Sequence, residues 1–252
     1  MAARCSITEI PVKGKYTVHT HYGSFDEGLA SLKAEGLELI TADALVNLWM
    51  NAGSQGISMT GSWTADGYVY LPNGETLVTR PEHNPILKRP GMAEVAVAAH
   101  KEGRDFYINP VGLQGRLIKL LRERAESDPI KALDTGVLLL PKHTVPGSLD
   151  FTKLDDPDES QLIIFLFPEN RTLYGRYLQA CGADIQSVSH VYPVKSSRQR
   201  AFANTLYLTN PMTHGAWHLN AASSLHHPSY VTGARYAEQL PTIPKRIHTG
   251  YR

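Results

Sequence analysis

His214-Gly-Ala-Trp217-His-Leu-Asn-Ala-Ala-Ser-Ser-Leu-His-His-Pro-Ser-Tyr230-Val-Thr-Gly-Ala-Arg235 is the most informative segment of this chain. It has no helical period, it opens on a large indole, and it closes on a short apolar run with a glycine in it. From His218 through Gly233 all sixteen residues avoid Lys, Glu, Gln, Met and Trp, while Asn, Ser, His, Pro and Tyr abound. That composition suits a contact surface. Tyr and His offer area with few rotatable bonds, and Ser and Asn offer adaptable hydrogen bonds. Such a surface needs no general base and no metal.

The same residues resemble the close of the C-type-lectin-like domains of the formylglycine-generating type. There a Gly- and Trp-containing run precedes a polar loop, and a final buried strand reads Gly-Phe-Arg. Gly215 and Trp217 stand for the first run, and Gly233-Ala234-Arg235 for the closing triplet. The chain departs from that pattern at Ala234, and it has no Gly-Asn-x-x-Glu-Trp ahead of the segment. A formylglycine-generating enzyme needs paired reactive cysteines, which Cys5 and Cys181 do not support. The other branch of the resemblance is the variable protein of a diversity-generating retroelement. In that family, adenines in AAC-type codons are randomised, and the resulting codons cannot encode the five residue types missing here.

The resemblance implies an α+β, C-type-lectin-like fold with mixed short strands and helices around an irregular sheet. It makes segment 214–235 a variable, ligand-binding segment. His218, Asn220, Ser223, Ser224, His226, His227, Ser229 and Tyr230 are then contact residues, and Trp217, Gly233 and Arg235 are scaffold. Trp217 would pack under the loop, and Arg235 would tie the last strand to a carboxylate or to carbonyls. The expected partner is a macromolecular ligand, a protein, with no cofactor.

Working outward, the chain has 252 residues, with 25 Lys plus Arg against 24 Asp plus Glu, a net charge of +1. This balance excludes a strongly basic nucleic-acid coat and an acidic solvating tail, so nucleic acid is not an expected partner. Apolar residues make up 42%, enough for a sizeable core. Mean hydropathy is −0.25, and no apolar run approaches the roughly 18 residues of a membrane-spanning helix. Residues 1–10 lack the apolar stretch of a secretory signal, so a cytoplasmic location is the default expectation. One domain over residues 1–237 with a peripheral tail at 238–252 is expected.

Local signals place the elements. Lys15–Val18 reads as a short strand before a loop holding His19, His21 and Tyr22. Ser24 and Glu27 have capping-box spacing, so a helix should start there, with Leu29 and Leu32 inward and Gly36 as its left-handed stop. Leu37–Ile40 is extended, and Thr41 caps a second helix to about Met50. Asn73-Gly74 between alternating apolar residues predicts a hairpin with a type I′ turn. Met92–Lys101 is an alanine-rich helix closed by Gly103, and Asp105–Ile108 is a strand. Asn109-Pro110 reads as the N-cap and first turn of a long helix to about Ser127. Gly136–Leu140 and Leu162–Phe167 read as strands covered on both faces, with a surface excursion between them. A helix over Asn170–Cys181 and a strand over Val188–Val194 complete the expectation.

Two alternatives would make the protein an enzyme. His19-Thr-His21 with Ser24 and Asp26 resembles the opening of a polymerase-and-histidinol-phosphatase-type phosphoesterase, in which a His-x-His pair ligates a metal. Ala42-Asp43-Ala44 stands where that family would place a metal-binding Asp-His. His21-Tyr-Gly-Ser24 with a later Glu-Gly-Leu also resembles the His-Gly-Thr region of an ADP-ribosyltransferase. Finally, Arg116, Lys119, Arg122 and Arg124 interleave with Leu117, Leu120 and Leu121, which reads as the solvated face of a helix.

Overall fold

The computed structural model describes residues 6–12, 14–52, 61–141, 149–153, 161–168, 187–191, 200–208, 218–220 and 225–236. Trp217, Ser223, Ser224, the predicted helix over 170–181 and the tail at 238–252 lie outside them.

Strands β1 (Ser6–Val12) and β2 (Gly14–Gly23) pair antiparallel from the start. The following helix α1 (Phe25–Ala34) begins where the capping box predicts, with the Ser24 N–H donating to the Glu27 carboxylate at 3.1 Å. It stops at Gly36, whose φ of 66° only glycine adopts cheaply. After β3 (Glu38–Leu39), α2 (Ala42–Ala52) starts on two acceptors. Thr41 Oγ1 takes the Ala44 N–H at 3.2 Å, and the buried Asp66 carboxylate takes the Ala42 N–H at 2.7 Å.

The hairpin β4 (Ser62–Tyr70) and β5 (Thr76–Thr79) is present, but its turn is not type I′. The Gly74 N–H donates to the Leu71 carbonyl, and Gly74 is the residue there with positive φ, 91°. Pro72 and Asn73 are therefore the central pair. Proline's fixed negative φ excludes the mirror-image turn.

Helix α3 (Met92–Lys101) is closed as expected through Gly103. It is followed by β6 (Phe106–Tyr107) and α4 (Gly112–Arg124). The N-cap of α4 is Val111, not Asn109. The Asn109 side chain accepts the Val111 N–H at 2.9 Å and spends its capping capacity on the turn before the helix. A separate helix α5 (Pro129–Thr135) follows, capped by Asp128.

Strands β7 (Val137–Leu140) and β8 (Leu149–Lys153) precede α6 (Gln161–Leu166), where a buried strand was expected. Every residue after Gln161 is hydrophobic and four of the six are buried, so a helix apolar nearly all round hides its period. Strands β9 (Ser187–Val191), β10 (Phe202–Leu208), β11 (His218–Asn220) and β12 (Ser229–Tyr236) finish the described chain.

The strands form one mixed sheet in the order β1-β2-β12-β4-β10-β11-β9-β8, with β5, β7, β3 and β6 paired off this path. The last strand thus lies between two of the earliest. It runs antiparallel to β2 over eight residues and meets β4 in a parallel contact at Val231 and Trp63. Along β4 and β7 alternate residues enter different buried clusters. Tyr68, Tyr70, Leu138 and Leu140 join one with α2, α5 and α6; Val69, Leu71 and Val137 join the other with α1, α3 and α4. The period of two means that both faces of this part of the sheet are covered.

Candidate functional site

At one end of the β2–β12 pair the register places Tyr22 opposite Tyr230, and their rings pack 5.0 Å apart at 59°. Tyr22 is 52% exposed and Tyr230 half-buried, so the pair is a surface feature backed by a strand pair. Next to it, the Ser229 hydroxyl donates to the Tyr207 phenol oxygen at 2.8 Å. Tyr207 in turn stands edge-on to the buried Trp63 at 5.0 Å, and Trp63 edge-on to Phe25 at 5.7 Å. Burial pushes the Tyr207 phenol above its ordinary pKa, so it stays protonated and able to donate. A line of aromatic rings therefore runs from the core to Tyr207, which the Ser229 hydroxyl joins to the start of β12.

The turn before β12 is moored at both ends of its first residue. Leu225 is fully buried; its N–H donates to His100 Nδ1 at 2.9 Å, and its carbonyl accepts the Phe25 N–H at 3.0 Å. The end of α3 and the start of α1 thereby fix where His226 and His227 stand. These two imidazoles lie 4.2 Å apart at 34°. Desolvation, then His227 and Lys101, lower the His226 pKa, so that ring is neutral near pH 7. Glu27 is held below its ordinary value by the Ser24 backbone N–H first, with His21 and Lys101 adding to it.

Beneath the surface a knot of hydroxyls joins three strands. Ser62 Oγ stands 3.2 Å from the Tyr230 carbonyl and 3.0 Å from Thr232 Oγ1, with its single proton to share between them, and it accepts the Thr232 N–H (3.1 Å). Thr20 Oγ1 lies 3.3 Å from Thr232 Oγ1. These groups are buried, so any slip of β12 against β2 or β4 would leave polar atoms unpaired in the core.

Of the residues singled out in the sequence, His226 and His227 lie in the turn before β12, and Ser229 and Tyr230 are the first two residues of that strand. His218 and Asn220 lie on β11, whose backbone pairs with both β10 and β9; this part of the segment is sheet rather than loop. Gly233 lies under α1 and β3, where a Cβ would come within 2.6 Å of Leu32 and 2.9 Å of the Glu38 carbonyl. Arg235 pairs through its backbone register with Thr17.

His19 and His21 lie within β2, not in a loop, and they diverge. His19 Nδ1 contacts Glu35 at the far end of α1, whereas His21 stands beside Glu27 at its start. Among the described residues no three His, Cys, Asp or Glu side chains converge as metal ligands. Sequence reasoning left Tyr207 out of the site and placed Tyr22 in a loop. Their roles depend on cross-strand register, which no local spacing encodes.

No family model and no curated protein matches the chain. The fold does match. The chain has a C-type lectin fold, helices and strands mixed around one sheet. The solved structure that shows it is described as accommodation of massive sequence variation in Nanoarchaeota by the C-type lectin fold. It superposes with a TM-score of 0.53 at 10% identity, over 93% of this chain and 99% of that one. No helix among the described residues is long and apolar enough to cross a membrane.

Proposed function

We propose that this chain is a ligand-binding scaffold that presents a diversified surface near its carboxy terminus, with a protein as its ligand. His226, His227, Ser229 and Tyr230 are the contact residues around the start of β12, joined by Tyr22. His218, Asn220, Ser223 and Ser224 extend it, and Trp217, Gly233 and Arg235 support it. The observation that carries the reading is the Tyr22–Tyr230 pair, aromatic area at the protein surface held by the paired strands β2 and β12. Rigid aromatic area beside imidazoles and hydroxyls is the chemistry of a paratope, and preorganisation keeps the entropic cost of binding low. The sequence variation borne by the structural neighbour's fold supports the same reading, as does the absence of five residue types from 218–233.

Sequencing this gene across many cells of one population tests it. Adenine-specific variation concentrated in codons 218–230 is the expected result. A uniform segment would overturn the diversified surface and leave a fixed binding face.

A further inference from the structure

His100, near the end of α3, holds the turn that leads into the proposed binding face. Its Nδ1 accepts the Leu225 N–H at 2.9 Å, and Leu225 is fully buried. A backbone N–H can only donate, so this contact requires a lone pair on Nδ1 and an imidazole with no proton there. A ring that takes a second proton is a donor at both nitrogens and cannot make the bond. The Leu225 N–H is then a buried donor without its acceptor, and the closed turn loses its advantage over an open one. Two influences oppose each other on this ring. The Leu225 bond favours the neutral form, whereas the carbonyl end of α3 favours a cation. The ring is half-buried, so protons reach it from solvent.

The elements that meet here carry other titratable groups: His21 on β2, Glu27 on α1, Lys101 and Glu102 at the end of α3, Asp105 beyond it, and His226 with His227 on the turn. Lys101 is near enough to Glu27 and to His226 to bias both. Glu27 is engaged by the Ser24 N–H, and Glu102 by Arg104. Acid therefore adds positive charge beside Lys101. The His226 and His227 rings, 4.2 Å apart, repel once both are charged. That repulsion and the loss of the Leu225 bond act in the same direction, since each loosens the turn.

We propose that His100 is an acid-sensitive latch: protonated, it releases Leu225 and loosens the turn carrying His226 and His227, so that a ligand held at neutral pH is let go in mildly acidic surroundings. The ligand clause rests on the binding reading above; the latch does not, and its test uses no ligand. Since the latched ring must be neutral, the bond is fully present above an ordinary imidazole pKa of about 6.5 and is lost as pH falls below it. The test is amide hydrogen exchange of the full chain from about pH 8 to about pH 5, read at Leu225 with the intrinsic pH dependence divided out. Protection should fall by up to about tenfold per pH unit below about 6.5 in the wild type. It should stay flat in H100N, whose amide oxygen stands in for Nδ1 without titrating, and the fall should persist in H226Q/H227Q. Nitrogen-15 NMR of the imidazoles at about pH 7.5 should show His100 protonated at Nε2 alone. Flat protection in the wild type would overturn the proposal, as would a neutral ring protonated at Nδ1. So would a fall undiminished in H100N, or one abolished in H226Q/H227Q. If H100N does not fold, as its melting temperature will show, the tautomer and the double variant still decide. Uniform codons 218–230 would remove the diversified surface and leave the latch standing.

Discussion

Gly28 and Val231 show how closely the parts of this protein approach. A Cβ on Gly28 would come within 2.3 Å of a Val231 methyl, so α1 rests directly on β12 at a position where only hydrogen fits. Gly233 makes the matching close approach to Leu32. Gly28→Ala and Gly233→Ala should each lose about 1–3 kcal/mol by overpacking, measured by urea unfolding. Surface residues of the same segment should behave differently. His227→Ala should cost within about 0.5 kcal/mol. Tyr230→Ala should cost up to about 1 kcal/mol, because it removes a cross-strand aromatic pair. Losses of several kcal/mol at either position would place the segment in the core and remove the argument for a tolerant binding face.

Helix α2 begins on a carboxylate that comes from another element. Asp66 of β4 caps Ala42 while Arg80 stands 3.4 Å from its other oxygen and over the Phe165 ring. Burial dominates and raises the Asp66 pKa against the opposing pull of Arg80 and the Ala42 N–H. Asp66→Ala should cost about 3 kcal/mol, since it strands the guanidinium and the helix N–H together. Asp66→Asn should cost less, because its amide oxygen still accepts from Ala42; chemical denaturation of both variants measures the difference.

At the start of α1 the sign is reversed. Glu27 has a lowered pKa, so its contribution is present above its ordinary 4.5 and is lost as pH falls through the folded value. The melting temperature of Glu27→Gln should therefore fall less than that of the wild type on acidification below pH 4.5, as followed by circular dichroism.

These elements also show what a sequence makes legible. The Ser24–Glu27 box, Gly36, Thr41 and Gly103 act within a turn of their own position, and each does what its residue type predicts. Asp66 acts across 24 residues, and nothing near Ala42 announces it. α6 was misread because six nearly uniform apolar residues carry no period to separate helix from strand. His19 and His21 were misread as loop because Thr20 is a core residue through its hydroxyl contact with Thr232, which hydrophobicity cannot register. In the candidate site, 226–230 reads as loop in the sequence, yet Ser229 and Tyr230 open β12, and Tyr22 and Tyr207 come beside them only through strand pairing and a side-chain contact.

At the scale of the whole molecule the dominant fact is that β12 lies between β2 and β4. Thr20 and Thr232 meet across 212 positions of sequence. Such distant pairing should make refolding slow, in the millisecond-to-second range rather than microseconds, as stopped-flow Trp fluorescence would show. A chain cut after Asn220 should show no cooperative unfolding, because Trp63, Phe25 and Val18 all lose cover that β12 or the Leu225 turn provides.

The same insertion has a consequence for biosynthesis. A ribosome delivers β2 and β4 long before it delivers the strand that belongs between them. The nascent chain must hold two strand edges apart, unzipped and open to strangers, until β12 has been translated. The strand that closes this gap also carries the face proposed to be diversified, so changes there are made on the part of the protein that completes its folding.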